Sequence, residues 1–180
     1  MSADSRIGAI FKKSGNVKLP QRRGEDQREQ YGRAGIGLVV CKKCHNVLFD
    51  KKWHSAESKL LRQAKLYGHG IHFLLCPACN MEEKHLYEGE IIIKNIPSTR
   101  QKELPSLISA YGKRALSRDS QDRILSVKQN GSTMRILTTE NQLAVKLAKK
   151  IKDTLNAASF SVNHSREPFE VSRVTILFSR

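Results

Sequence analysis

The first half of the chain alternates between short apolar runs and pairs of cysteines. Two β-rich runs, IGLVV at 36–40 and IHFLL at 71–75, each lead directly into a cysteine pair. Between them, HNVLFDKKWH alternates apolar and polar residues and predicts a returning strand. The spacing then becomes helical, with Ser55 as a plausible N-cap and Gly68 as a natural stop. This pattern predicts a small module over residues 36–87.

In the second half, hydrophobic residues recur over longer and more regular stretches. Their spacing predicts the order strand, helix, strand, strand, helix, strand. The two middle strands, RILSVKQ and STMRILTT, are joined by Asn130-Gly131, a strong hairpin signal. The first helix is expected to begin around Leu104, because Pro105 is tolerated only near a helix start. The second helix has Thr139 as its expected N-cap and apolar residues four apart. SFSVNHS and EVSRVTILF are expected to finish as one interrupted strand or as a last hairpin.

This order predicts an α+β protein with a ferredoxin-like β-α-β-β-α-β domain over residues 88–180. In that plan a single antiparallel sheet carries both helices on one face. Residues 1–35 show no sustained period and are rich in Gly, Pro, Gln and Arg, which predicts a basic, flexible arm. The chain is therefore divided into an arm, a cysteine-containing module and an α+β domain.

The cysteines add a metal site to this organisation. All four fall into two Cys-x-x-Cys pairs, Cys41/Cys44 and Cys76/Cys79. The tight turn within each pair brings both sulfurs to one side, so two pairs offer four thiolates to one tetrahedral cation. The spacing predicts a structural Zn²⁺ site in a four-cysteine zinc ribbon, with redox-active dithiols or an iron–sulfur site as alternatives. With four cysteines present, the neighbouring histidines are not needed as ligands.

Several function classes are disfavoured by what the sequence lacks. No apolar run approaches the roughly 20 residues of a membrane-spanning helix, and MSADSRIGAIFKK has no secretory apolar core. Paired cysteines hold metal more often than they form disulfides in a reducing compartment, so a cytoplasmic location is expected. A Gly-rich phosphate loop, a G-x-S-x-G motif and a spaced pair of acids are absent, and a four-thiolate sphere leaves no open position for catalysis. We therefore expect no enzymatic activity, no small-molecule substrate and no membrane partner.

The charge favours a polyanionic partner. The net charge is +15, from 32 basic and 17 acidic side chains. Such a surplus is typical of proteins that bind nucleic acid, and a solubility surface is the alternative. Trp53 could stack on a base, but the small module needs a large apolar residue for its core, which is the favoured role. The candidate nucleic-acid contacts are the following lysines and arginines: Lys12, Lys13, Arg22, Arg23, Lys42, Lys43, Lys51, Lys52, Lys149 and Lys150.

The order CKKC, KKW and CPAC, followed by EGEIIIKNI and TMRILTTENQLAVKLAKKI, resembles an uncharacterised bacterial zinc-ribbon family. It is also distantly similar to the nonsense-mediated-decay protein 3 family, the ribosomal large-subunit export adaptors. The resemblance covers about residues 36–178, and its specific points are Trp53, nine residues after Cys44, and the ILTTENQLAVKLAKK segment. It implies a zinc-dependent, non-enzymatic factor that associates with RNA or the ribosome. This chain has one set of four cysteines where the eukaryotic family has more, so an export role is not implied.

The sequence therefore predicts a zinc-stabilised protein that binds structured RNA, with rRNA or a ribosomal subunit as the expected partner. Assembly, hibernation and quality control are all compatible roles. The alternative is a DNA-binding transcriptional regulator that uses the ribbon as its reader, with the predicted helix after Ser55 as a recognition helix. The expected ferredoxin-like strands EIIIKNI and MRILTT carry no aromatic residue, so a conventional single-strand-binding sheet surface is not expected.

Overall fold

The computed structural model describes residues 38–49, 51–55, 71–165 and 170–179, which form a mixed α+β structure with two β-sheets. The predicted arm and the helix predicted after Ser55 lie outside the described residues. Within them, no helix is long and apolar enough to cross a membrane. The elements are β1 (Leu38–Cys41), β2 (Val47–Phe49), β3 (Lys52–His54), β4 (Ile71–Leu74), α1 (Pro77–Glu83), β5 (Gly89–Lys94), a 3₁₀ turn (Ser98–Arg100), α2 (Glu103–Arg118), β6 (Ile124–Asn130), β7 (Thr133–Thr138), α3 (Asn141–Leu155), β8 (Ser159–Ser165) and β9 (Val171–Leu177).

The first sheet has the strand order β3-β2-β1-β4 and delivers both cysteine pairs to the same end. β1 runs parallel to β4, and Cys41 at the end of β1 pairs with Leu74 at the end of β4. Because parallel strands end at the same edge, the turn after each strand begins at the same place. The predicted returning strand is divided into β2 and β3, which pair in antiparallel fashion on either side of a turn that contains Lys51 at a φ of 60°.

Helix α1 begins within the second cysteine pair and was not predicted from the sequence. Its N-cap is Cys76, whose side chain accepts a hydrogen bond from the backbone N–H of Cys79, and Pro77 occupies the first turn. Proline is well suited to that position because its missing N–H would have no partner there. The helix therefore begins inside the Cys-x-x-Cys motif and fixes the positions of both its cysteines.

The second sheet has five strands in the order β6-β7-β5-β9-β8. One face is apolar, with Ile91 and Ile93 of β5 fully buried beside Ile136 of β7. Helices α2 and α3 both pack against this face, and most of their buried residues belong to the same core cluster. The buried helix residues in that cluster are Leu104, Ile108, Ala144, Leu147, Ala148, Ile151 and Leu155.

The all-antiparallel sheet expected for the second domain is not what the structure contains. The chain after α3 forms a hairpin, β8–β9, and β9 pairs in parallel with β5. Burial explains the order: Val171, Val174 and Ile176 of β9 are fully buried, whereas β8 has mainly exposed and half-buried residues. The more apolar strand occupies an interior position, and the more polar strand takes the edge.

Two local predictions were displaced by one residue. Asn130 pairs with Thr133, so the two-residue loop is Gly131-Ser132, with Gly131 at a φ of 56°. Glycine tolerates this left-handed conformation because it has no Cβ. The N-cap of α3 is Glu140, because the Thr139 hydroxyl is bound elsewhere. This hydroxyl donates to the carbonyl of Gln121 and accepts a hydrogen bond from the backbone N–H of Arg123.

Gly89, the first residue of β5, lies close against Thr138 of β7 and the start of α3. A Cβ added at Gly89 would meet the side chains of Thr138 and Ala144 and would lie 2.8 Å from the backbone oxygen of Glu140. The backbone oxygen cannot move away without shifting the start of α3. The absence of a side chain is therefore a packing requirement at this position.

We expect Gly89→Ala to lower the free energy of unfolding by about 3 kcal/mol, because the added methyl group overpacks a backbone contact. Chemical denaturation of the metal-loaded protein measures this. Gly112→Ala is the control: its Cβ would meet the flexible end of Ile124, and alanine gains helix propensity, so a change below about 1 kcal/mol is expected. Equal losses in the two variants would contradict the packing interpretation.

Candidate metal centre

The four cysteine sulfurs converge on one point. Their Sγ atoms all lie within 4.8 Å of one another, and those of Cys44 and Cys76 are 3.7 Å apart. A tetrahedral ion with metal–sulfur bonds of about 2.3 Å requires sulfurs separated by about 3.8 Å. Both the size and the composition of this group fit a single metal ion held by four thiolates.

Backbone donors hold the first pair in place. The N–H of Cys41 donates to the carbonyl of Asn46 at 2.7 Å, and the N–H of His45 donates back to the carbonyl of Cys41 at 2.9 Å. His45 has a φ of 60°, which closes the turn. The N–H of Cys76 donates to the Cys41 sulfur at 3.3 Å, and so joins the two pairs directly.

The surroundings affect the individual thiols differently. Burial alone would raise the pKa of Cys41, but N–H donors, those of Cys44 and Cys76 first, lower it to about 6. Burial raises the pKa of Cys76, and the neighbouring thiols raise it further. Burial also raises the pKa of Cys79. In the metal-free protein, protons must therefore leave Cys76 and Cys79 when a cation binds, and acid will weaken binding.

Arg123, in the loop that precedes β6 of the second sheet, contacts this site. Its Nη1 lies 3.2 Å from the Cys79 sulfur and its Nη2 lies 3.9 Å from the Cys76 sulfur. Burial opposes the charge of the guanidinium, but the cysteine sulfurs raise its pKa, so it stays positively charged. Four thiolates and a divalent ion leave two negative charges, one of which Arg123 balances. Sequence reasoning missed this residue because an arginine 44 positions after Cys79 belongs to no ligand-spacing pattern.

The loop that carries Arg123 also binds the first module through uncharged groups. The hydroxyl of Ser120 donates to the carbonyl of Trp53 at 2.8 Å, and the N–H of Ala78 donates to Oε1 of Gln121 at 3.1 Å. The Thr139 hydroxyl holds the same loop against the second sheet. Residues 119–123, here named the docking loop, therefore connect the metal centre to the five-stranded sheet.

Trp53, like Leu75 and Cys44, packs against the buried cluster formed by Cys41, Cys76, Ala78 and Cys79. This is the core role favoured from the sequence. Cys41, Cys76 and Cys79 are completely buried. A metal ion held by four protein sulfurs in this setting has no coordination position left for water, so the arrangement suits a structural ion. Among the residues that the structure describes, no histidine joins the four-cysteine group.

The predicted nucleic-acid contacts fall in separate places. Lys42 and Lys43 are exposed in the turn of the first pair, where the Lys43 ammonium lies 3.3 Å from a carboxylate oxygen of Glu82. Lys51 and Lys52 are exposed at the β2–β3 turn. Lys149 and Lys150 are exposed on α3, next to the second sheet. The remaining four, Lys12, Lys13, Arg22 and Arg23, lie outside the described residues.

Comparison with protein-family models and with curated proteins found no match for this chain. The resemblance to zinc-ribbon and nonsense-mediated-decay protein 3 families therefore stays a prediction.

We expect the purified protein to bind one metal ion per chain. Cys76→Ser should weaken that binding more than about a hundredfold, because residues that only hydrogen-bond to metal ligands already change metal affinity by about tenfold to a hundredfold. Metal content by mass spectrometry and the thiolate absorption bands of the Co²⁺-substituted protein measure this. His72→Ser is the control, because this exposed histidine on β4 is not part of the cysteine group. Full metal occupancy in Cys76→Ser would contradict the assignment.

Arg123→Gln should lower metal affinity by about tenfold to a hundredfold, because it removes the positive charge that balances the thiolates. Competition with a chromophoric chelator measures the affinity. Arg100→Gln serves as the control: Arg100 pairs with Glu103 on the surface at 2.7 Å, and a surface pair contributes about 1 kcal/mol or less. If the two arginine variants bound metal equally well, Arg123 would have no electrostatic role at the site.

Proposed function

We propose that this protein is a zinc-stabilised, non-enzymatic RNA-binding protein whose partner is structured RNA, with rRNA in a ribosomal subunit as the expected target. The observation that carries this proposal is the net charge of +15 on a chain whose metal site is closed by four thiolates. The excess positive charge favours a polyanionic partner. The four-thiolate site leaves no coordination position open, which favours a structural role for the ion.

Zn²⁺ is the proposed ion because soft thiolates in tetrahedral arrangement select zinc over the hard cations Mg²⁺ and Ca²⁺. We interpret the first sheet with its two cysteine pairs as a zinc ribbon. The second sheet is interpreted as a variant of the ferredoxin-like plan, in which β5-α2-β6-β7-α3 keeps the expected order and the β8–β9 hairpin replaces the last strand.

Structured RNA is favoured over single strands by the composition of the second sheet. Its central strands β5, β7 and β9 read GEIIIK, TMRILT and VSRVTIL and carry no aromatic residue on which bases could stack. Recognition would then depend on phosphate contacts and on the shape of the RNA. The lysines at the turns of the first sheet are suitable donors, because the metal fixes the turn that carries Lys42 and Lys43.

The resemblance to the nonsense-mediated-decay protein 3 family supports rRNA as the class of RNA, and a cytoplasmic location is part of the same proposal. Isolation of the tagged protein from cells, followed by sequencing of the bound RNA, tests the target. Enrichment of rRNA and co-sedimentation with a ribosomal subunit would support it. A sequence-selective footprint on duplex DNA would instead support the transcriptional regulator.

The affinity of the metal-loaded protein for an rRNA hairpin should fall steeply with salt, because each phosphate contact releases bound counterions. With six or more contacts, the loss between 50 and 200 mM salt is expected to be about a thousandfold or more. Fluorescence anisotropy at several salt concentrations measures the slope. A DNA duplex of the same sequence is the control, and a salt-independent affinity would contradict the proposal.

A further inference from the structure

A groove lined with positive charges lies between α2 and α3, the two helices that pack on one face of the second sheet. Its volume is about 680 Å³. Four of its six lining residues are cations, and none is acidic. The lining residues are Tyr111, Lys113, Arg114, Ser117, Arg118 and Lys150.

Helical spacing explains how α2 forms one wall of this groove. Tyr111, Arg114 and Arg118 are three and four residues apart, so they share one face of the helix. Ile108 and Ala115, three residues before and four residues after Tyr111, are buried in the core, so the edge of α2 beside the groove is anchored there. The guanidinium of Arg114 lies over the ring of Tyr111, 5.9 Å from its centroid, which holds the cation in the groove without neutralising it.

Four other arginines in the described part of the domain contact an acidic side chain or a cysteine sulfur, whereas the charge of Arg118 acts on the Asp122 carboxyl only beyond ion-pair distance. Arg135 and Arg173 share the buried carboxylate of Glu90, at 2.6 and 3.2 Å. Arg123 contacts the cysteine sulfurs, and Arg100 pairs with Glu103.

By contrast, the structure places no carboxylate within 4.0 Å of Lys113, Arg114, Arg118 or Lys150 in the part of the chain that it describes. Like charges gathered around one groove repel each other. An anion in the groove would remove that repulsion.

We propose that this groove binds the sugar-phosphate backbone of RNA. The inference rests on the proposed function and locates its phosphate contacts on the helical side of the second domain. The two guanidiniums can each donate two parallel hydrogen bonds to a phosphate, and Lys150 adds a mobile point charge from α3. The groove is several times larger than one phosphate group, so a segment of backbone with two adjacent phosphates fits it.

The test compares the metal-loaded full chain with Arg114→Gln/Lys150→Gln, using a fluorescein-labelled rRNA hairpin as the probe. Losing two phosphate contacts should weaken binding about tenfold or more at 100 mM salt and make the slope of log K against log salt shallower by about 1.4–1.8. The matched control is Lys84→Gln/Lys102→Gln, which removes the same charge at two exposed lysines outside the groove. Its slope should stay close to that of the parent protein.

Arg114→Lys/Lys150→Arg keeps the charge and should restore most of the salt slope, which separates electrostatic contact from damage to the fold. Melting temperature and metal content verify that each variant is folded. Equal slopes for the groove variant and the matched control, with the parent protein binding RNA, would overturn the groove and leave the proposed function intact. Failure of the parent protein to bind the hairpin would overturn the proposed function and the groove together.

Discussion

Four thiolates within 4.8 Å of one another repel strongly, and only a cation among them makes that density of negative charge stable. Much of the described structure around the site follows from this constraint. The parallel strands β1 and β4 bring the two cysteine pairs together, and α1 begins inside the second pair. Arg123 supplies a further positive charge from the docking loop. The metal centre is therefore a junction between two modules as well as the core of the smaller one.

Two groups of cations in the described structure differ in their surroundings. Arg123, Arg135 and Arg173 contact sulfur or carboxylate groups and stabilise the fold. Burial and the charge of Glu90 raise the pKa of Tyr87, which lies beside Arg135 and Arg173, so its hydroxyl stays neutral there. Among the described residues, no carboxylate lies within 4.0 Å of the cations that line the groove between α2 and α3. Net charge alone does not distinguish the two groups, because only the three-dimensional contacts show which charges are already compensated.

The sequence predicted the features that depend on local spacing. Cysteine spacing predicted the four-cysteine cluster. Strand and helix periods located β1, β4, β5, α2, β6, β7 and α3, and Pro105 placed the start of α2. Features that depend on distant partners were missed. The parallel pairing of β9 with β5 reflects burial across the sheet, and Thr139 gives up its expected capping role because its hydroxyl holds the docking loop. Arg123 acquires its role only through that loop.

Trp53 has a consequence of a different kind. It is the single tryptophan of the chain, and it packs against the cysteine cluster while its carbonyl accepts a hydrogen bond from the docking loop. Its indole emission therefore arises at the junction of the two modules. The intrinsic fluorescence of the unlabelled protein is thus an optical reporter of the state of that junction, free of background from any second indole.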